Sequence, residues 1–185
     1  MADYPLIVFA VSASAIPLTA LRDLLITEGL PASFGVDIAG EATDEQMSNP
    51  EWDIAFLRWL DPELHEVALI EPMVVAADEE AARLVALHLN RIARLSDVAG
   101  RMIIAEHLNR AARLYTVQIL PALLAEDSHD GWGALDIILR FLAQSADGVI
   151  YAEAEGYCDS DGELLLAETG DLNPVGEDAG LLPGN

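Results

Sequence analysis

An α+β protein, with helices packed on a mixed or antiparallel sheet, is predicted by three features of the chain. Stretches of helical period alternate with short stretches of strand period. Two of the links between neighbouring strands are only long enough for tight turns. Hydrophobic residues make up 52% of the 185 positions, which is ample for a large core. The order strand, helix, strand, strand, helix, strand in the first half suits a ferredoxin-like βαββαβ arrangement with a second α+β half behind it. One α+β domain is therefore expected over residues 1–167, divisible into halves 1–98 and 99–167. An acidic, Gly- and Pro-rich tail follows over 168–185.

Leu6 to Val11 is a continuous apolar run, suited to a strand covered on both faces. Pro17 opens a helix whose inner stripe is Leu18, Leu21, Leu24 and Leu25, and Gly29 with Pro31 ends it. Phe34, Val36 and Ile38 alternate with polar neighbours in a half-buried strand over Ser33–Ala39. Gly40 to Pro50 shows no period and reads as a loop. A strand over Ile54–Leu60 joins another over 66–75 through the turn Asp61-Pro62-Glu63-Leu64, with Pro72 marking an end or an edge.

Asp78 then caps a helix reaching about Leu95, with Ala81, Val85, His88 or Leu89, Ile92 and Leu95 inward. Arg101 to Leu114 is ambiguous. Its residues favour a helix, yet Gly100 breaks the chain first and Met102-Ile103-Ile104 could equally open a hairpin with Leu114–Val117. Tyr115–Leu120 is a strand closed by Pro121. Asp130 caps a helix over Gly131–Ala146 with Trp132, Leu135, Leu139 and Leu142 inward. Val149–Cys158 and Glu163–Ala167 form a hairpin around Asp159-Ser160-Asp161-Gly162. The tail is either disordered or an arm laid on a neighbouring subunit.

The formal charge is −23, from 32 Asp and Glu against nine basic residues, all of them Arg. Such a surface repels phosphate backbones and anionic lipid, so nucleic acid and membrane are excluded as partners. Absence of Lys beside abundant Ala and Arg points to a GC-rich bacterial genome. Cys158 is the only cysteine, so no intramolecular disulfide or multi-cysteine zinc site can form, and a cytoplasmic location is expected. The apolar run near the N-terminus has Asp3 before it instead of positive charge, unlike a secretion signal.

The stretch richest in chemistry is Tyr151 to Cys158. On one strand, Tyr151, Glu153, Glu155 and Tyr157 share a face, an acidic and aromatic strip able to bind a cation, a hydroxyl-rich ligand or a partner's Arg. Glu153 and Glu155, about 7 Å apart along a strand, could act as an acid/base pair with His107. A metal site assembled from His65, Glu71 and His107 is the remaining catalytic candidate. The calcium-loop spacing from Asp159 to Glu168 fails, because Tyr157 stands where the first carboxylate is needed. Neither a nucleophile elbow nor a phosphate-binding glycine loop occurs, and no cofactor is implied.

Apolar excess, strong negative charge and missing catalytic motifs together favour a non-enzymatic protein acting through self-assembly, most simply as a dimer, or through binding a partner with a basic patch. The alternative is a small-molecule or metal-dependent hydrolase-type enzyme using the clustered Glu and His residues.

Overall fold

The computed structural model describes residues 5–36, 40, 42–60, 64–124 and 129–168. In chain order these form β1 (Leu6–Ala10), α1 (Leu18–Thr27), β2 (Ala32–Gly35), α2 (Asp44–Ser48), β3 (Ala55–Trp59) and β4 (His65–Val74). Next come α3 (Glu79–Ile92), α4 (Val98–Arg110), β5 (Arg113–Ile119), a 3-10 turn at Pro121–Leu124 and α5 (His129–Ser145). A closing meander holds β6 (Gly148–Ala152), β7 (Gly156–Cys158) and β8 (Leu164–Ala167). The class is α+β: five helices and one eight-stranded sheet, ordered β2-β3-β4-β5-β1-β6-β7-β8, with every pairing antiparallel.

Helices cover both sides of this sheet. Val8 and Ala10 of β1, with Tyr115, Val117, Ile70 and Leu57, turn toward α1 and α5. Ile7 and Phe9, with Leu114, Val149 and Tyr151, turn toward α3 and α4. The period-two alternation of β1 and β5 sorts their side chains between two separate apolar layers.

The ferredoxin-like order is not found. β1 pairs with β5 and β6, both from the second half, and with none of β2, β3 or β4. The two halves therefore share one sheet, in which β2-β3-β4-β5 is a meander and β1 is inserted between β5 and β6.

Several local expectations are also corrected. Residues 43–48 are not loop: Thr43 and Gln46 form a reciprocal capping box that starts α2. Residues 101–110 are helical, as propensity indicated. Gly100 lies inside the first turn of α4, where an added Cβ would sit 2.5 Å from the Leu165 carbonyl of β8. Glycine here permits close helix–strand approach and breaks nothing. Pro72 lies within β4, beyond Ile70, where the pairing with β3 has already ended, so its missing N–H is tolerated on that open side. In α3 it is Leu84 that is buried, beside Ala81, His88 and Ile92, and Val85 only flanks the core. α5 begins at His129, so Asp130 lies within it, and Trp132 is 38% exposed instead of inward. The expected turn at 61–63, the Ile38 end of the second strand and the tail from 169 onward lie outside the described residues.

Two glycines test the packing in opposite senses. Gly133→Ala, at an exposed site in α5 with open space around the added methyl, should raise stability by about 0.5–1 kcal/mol. Gly100→Ala should lower it by about 1–3 kcal/mol as β8 is pushed from α4. Urea denaturation of both variants measures the difference.

Candidate functional site

Tyr151, Glu153, Glu155 and Tyr157 do not lie on one strand. β6 ends at Ala152, the chain reverses through Glu153-Ala154-Glu155, and β7 returns from Gly156 with Tyr151 directly opposite Tyr157. Ala154 at φ 67° and Gly156 at φ 125° make the reversal, and a Cβ at Gly156 would stand 2.1 Å from the Leu166 carbonyl. The tyrosines do share a face, but that face is the core, and both are fully buried under α3. Glu153 and Glu155 are exposed at the tip of the turn.

His88 of α3, 3% exposed, meets the two rings from above. Its imidazole stands edge-on to Tyr151 at 4.5 Å and tilted to Phe9 at 5.0 Å, and its Nδ1 lies 2.7 Å from the Tyr157 hydroxyl. Burial first, and the Arg91 charge second, lower its pKa from 6.5 to about 4. The ring is thus neutral at pH 7, and its Nδ1 and the Tyr157 hydroxyl share one hydrogen bond. It is a satisfied core histidine.

The network continues outward. The Tyr151 hydroxyl donates to Glu168 at 2.9 Å and accepts from Arg91, whose Nε reaches the other Glu168 oxygen at 3.1 Å. The Ala154 amide also donates to Glu168, at 3.0 Å. Burial and the Glu168 hydrogen bond push the Tyr151 hydroxyl far above the usual phenol range; burial and the neighbouring Tyr151 do the same to Tyr157. These groups are held in neutral form, which suits a polar seam through a core and not proton transfer at pH 7.

The acid/base and metal candidates stay apart. His107 lines a cleft of about 310 Å³ with Ile103, Gln144, Asp147, Asp159 and Ser160. Gly148, beside that cleft, is at the far end of β6 from Glu153, about 16 Å along the strand. The cleft's acids are engaged already: Asp147 faces Arg110 at 3.7 Å, and Asp159 accepts the Asp161 and Glu163 amides of the β7–β8 turn. His65 opens β4 and Glu71 lies six residues along it, about 20 Å away. Among the described residues no group of three or more His, Cys, Asp or Glu is placed to hold a metal ion. Burial, with Glu155 and Asp159 adding to it, pushes the Cys158 thiol up and keeps it a poor nucleophile.

The surface that sequence reasoning missed is the outer side of α3 and α4. Met102 is 70% exposed, Val98 57% and Ile103 45%. Val98 and Met102, one turn apart, join Leu89, Ile92 and Ala105 around an apolar groove of about 240 Å³, which Arg101 borders. The block of sequence that supplies this side is poor in acidic residues. Residues 81–125 carry six of the nine arginines and only two acidic residues, Asp97 and Glu106. Four of the six are tied to carboxylates: Arg83 to Glu80, Arg91 to Glu168, Arg110 to Glu106 and Asp147, and Arg113 to Glu51. Arg94 is exposed, and Arg101 donates to the Ala93 carbonyl at 3.1 Å. The signal in the sequence was there in the composition of this block; it was hidden while Arg101–Leu114 could be either helix or hairpin.

Compared with models of known protein families, with curated proteins and with solved structures, the chain matches none. No helix among the described residues is long and apolar enough to cross a membrane.

His88 makes stability depend on pH. In the unfolded chain its imidazole binds a proton near 6.5, in the folded one only near 4, so between those values unfolding takes up a proton and acid favours it. Its contribution is complete above about pH 6.5 and falls away toward pH 4, by a few kcal/mol. His88→Leu should be less stable at pH 7, with the Tyr157 hydroxyl left without its partner, yet lose less on acidification than the native chain. Denaturant titrations at pH 7 and 5 check both signs.

Proposed function

We propose that this chain is a non-enzymatic, cytoplasmic protein that works by assembly, two copies meeting through the outer face of α3 and α4. One observation carries the reading: the exposed apolar residues Val98, Met102 and Ile103 stand in a 45-residue stretch, 81–125, that holds only two acidic residues. On a protein of charge −23, a copy approaching here sets fewer carboxylates against its own, with Asp97 and Glu106 the acidic residues of the stretch. Larger contiguous apolar patches on soluble proteins mark contact sites, and this one includes a groove for side chains to enter. The groups that the hydrolase-type alternative requires, Glu153, Glu155 and His107, are at opposite ends of β6, so that alternative gains no support from the geometry.

Sedimentation velocity of the full chain over a concentration series should find a monomer–dimer equilibrium. Association should strengthen as salt rises from about 0.05 to about 0.3 M, because net repulsion is screened while apolar contact is not. Met102→Glu, which changes an exposed side chain and leaves the core untouched, should weaken it at least about tenfold. A monomer at every concentration and salt would end the reading.

A further inference from the structure

Two of the nine arginines are buried, and they are held differently. Arg58 reaches Glu66 at 3.0 Å and the Gly40 carbonyl at 2.6 Å. Arg113, which opens β5, makes only long contacts. Its Nε lies 3.4 Å from the Ala13 carbonyl, and its Nη2 lies 3.5 and 3.4 Å from the two Glu51 oxygens. A charge-assisted bond runs about 2.7–2.9 Å. The Arg113 side chain is 5% exposed, so its guanidinium has left water without gaining close partners in exchange.

Tyr115, two places along the same strand, faces the same side. It is 1% exposed and its hydroxyl makes no hydrogen bond; the Ile16 backbone lies near it, within the fields of Arg113 and Glu51, without reaching hydrogen-bond geometry. The Trp52 ring stands beside it, centroids 6.3 Å apart, and Trp52 Nε1 donates to the Ile16 carbonyl at 2.8 Å. Ile16 leads into α1, which no side chain caps and whose first turn holds no acidic residue. A buried cation, an unpaired buried hydroxyl and the positive end of a helix therefore meet under residues 12–17, and all three favour an anion.

Glu51 covers this corner from the solvent side, with 69% of its side chain exposed. It also lines a cleft of about 280 Å³ with Gln46, Asn49 and Trp52. Long contacts to an exposed carboxylate are weak, so moving Glu51 aside costs little and opens Arg113 to the cleft. We infer that Arg113 and Tyr115 form a binding site for a small carboxylate ligand, which displaces the Glu51 carboxylate, takes the guanidinium with one oxygen and the Tyr115 hydroxyl with the other, and lays its body in the Glu51–Trp52 cleft. Glu51 already presents both its oxygens to Arg113, which shows the shape of the group that fits there. On a chain of charge −23 a singly charged ligand is repelled less than a phosphate. The site lies on the α1–α5 side of the sheet and does not depend on association through α3 and α4.

Acetate is the probe, titrated into the full chain at constant ionic strength with chloride as the balancing anion, and backbone amide shifts are followed by NMR. Saturating shifts at Ser14, Ile16 and Leu18 should share one midpoint, on the order of 1–10 mM for so small a ligand. Glu51→Gln removes the competing charge at an exposed position and should tighten binding about tenfold. Tyr115→Phe removes only the unpaired hydroxyl, so it should weaken binding about three- to tenfold while stability in urea holds or rises. Shifts that grow linearly without saturating overturn the site, and so does a midpoint that either variant fails to move. Saturation by inorganic phosphate at lower concentration than acetate overturns the carboxylate assignment.

Discussion

Burial of β1 from every side is the constraint on which the architecture rests. Ile7, Val8, Phe9 and Ala10 are all within 1% of complete burial, their two edges are hydrogen-bonded to β5 and β6, and their two faces carry different apolar layers. A strand of this kind needs partners on both edges and helices over both faces at once. β5 starts a hundred residues after β1 ends, and β6 later still, so the N-terminal strand finds its place only when the C-terminal half is present. Long-range closure of this sort is slow but cooperative, and it fuses the halves 1–98 and 99–167 into one sheet.

This explains which parts of the fold were legible in the sequence. Strand and helix existence followed from local period, which is why α1, α3, β3, β4 and β5 are found close to where periodicity places them. Strand order did not follow, since nothing in Leu6–Ala10 records that its neighbours are Arg113–Ile119 and Gly148–Ala152. The Tyr151–Tyr157 stretch misleads for a more specific reason. Alternation puts the two tyrosines on one face of a continuous strand, and a three-residue reversal with Tyr151 opposite Tyr157 also puts them on one face. Period alone cannot separate the two, and the turn lacks the usual Asn-Gly or Asp-Gly signal; only Gly156 hints at it. The capping box of α2, by contrast, was fully readable in Thr43-Asp44-Glu45-Gln46.

Of the candidate site, chemistry was legible and placement was not. His88 was expected as a core histidine and is one, but its partners Tyr157, Tyr151 and Phe9 come from three strands that only the folded sheet assembles. Arg58 makes the same point on the other flank. It is almost wholly buried on β3, paired to Glu66 at 3.0 Å and to the Gly40 carbonyl at 2.6 Å, and its guanidinium fills the space where a Cβ on Gly35 would stand 2.4 Å away. A buried charge tolerates such a site only with its hydrogen bonds made, so these polar seams fix register and packing as firmly as the apolar layers do. They occupy both tyrosines that a sequence reader would assign to a binding strip.

On the assembly reading proposed above, electrostatics decide which part of the surface is used. With 32 acidic residues on a chain of this size, most directions of approach for another copy bring like charges together. In the α3–α4 segment Arg83 is paired to Glu80, Arg91 to Glu168 and Arg110 to Glu106 and Asp147, so most of its positive charge is balanced. A neutral face pays little desolvation on contact, so exposed Val98, Met102 and Ile103 can contribute their apolar area without an opposing charge term. On that assembly reading, the apolar groove beside α4 and the scarcity of acidic residues in 81–125 act together to favour contact at this face.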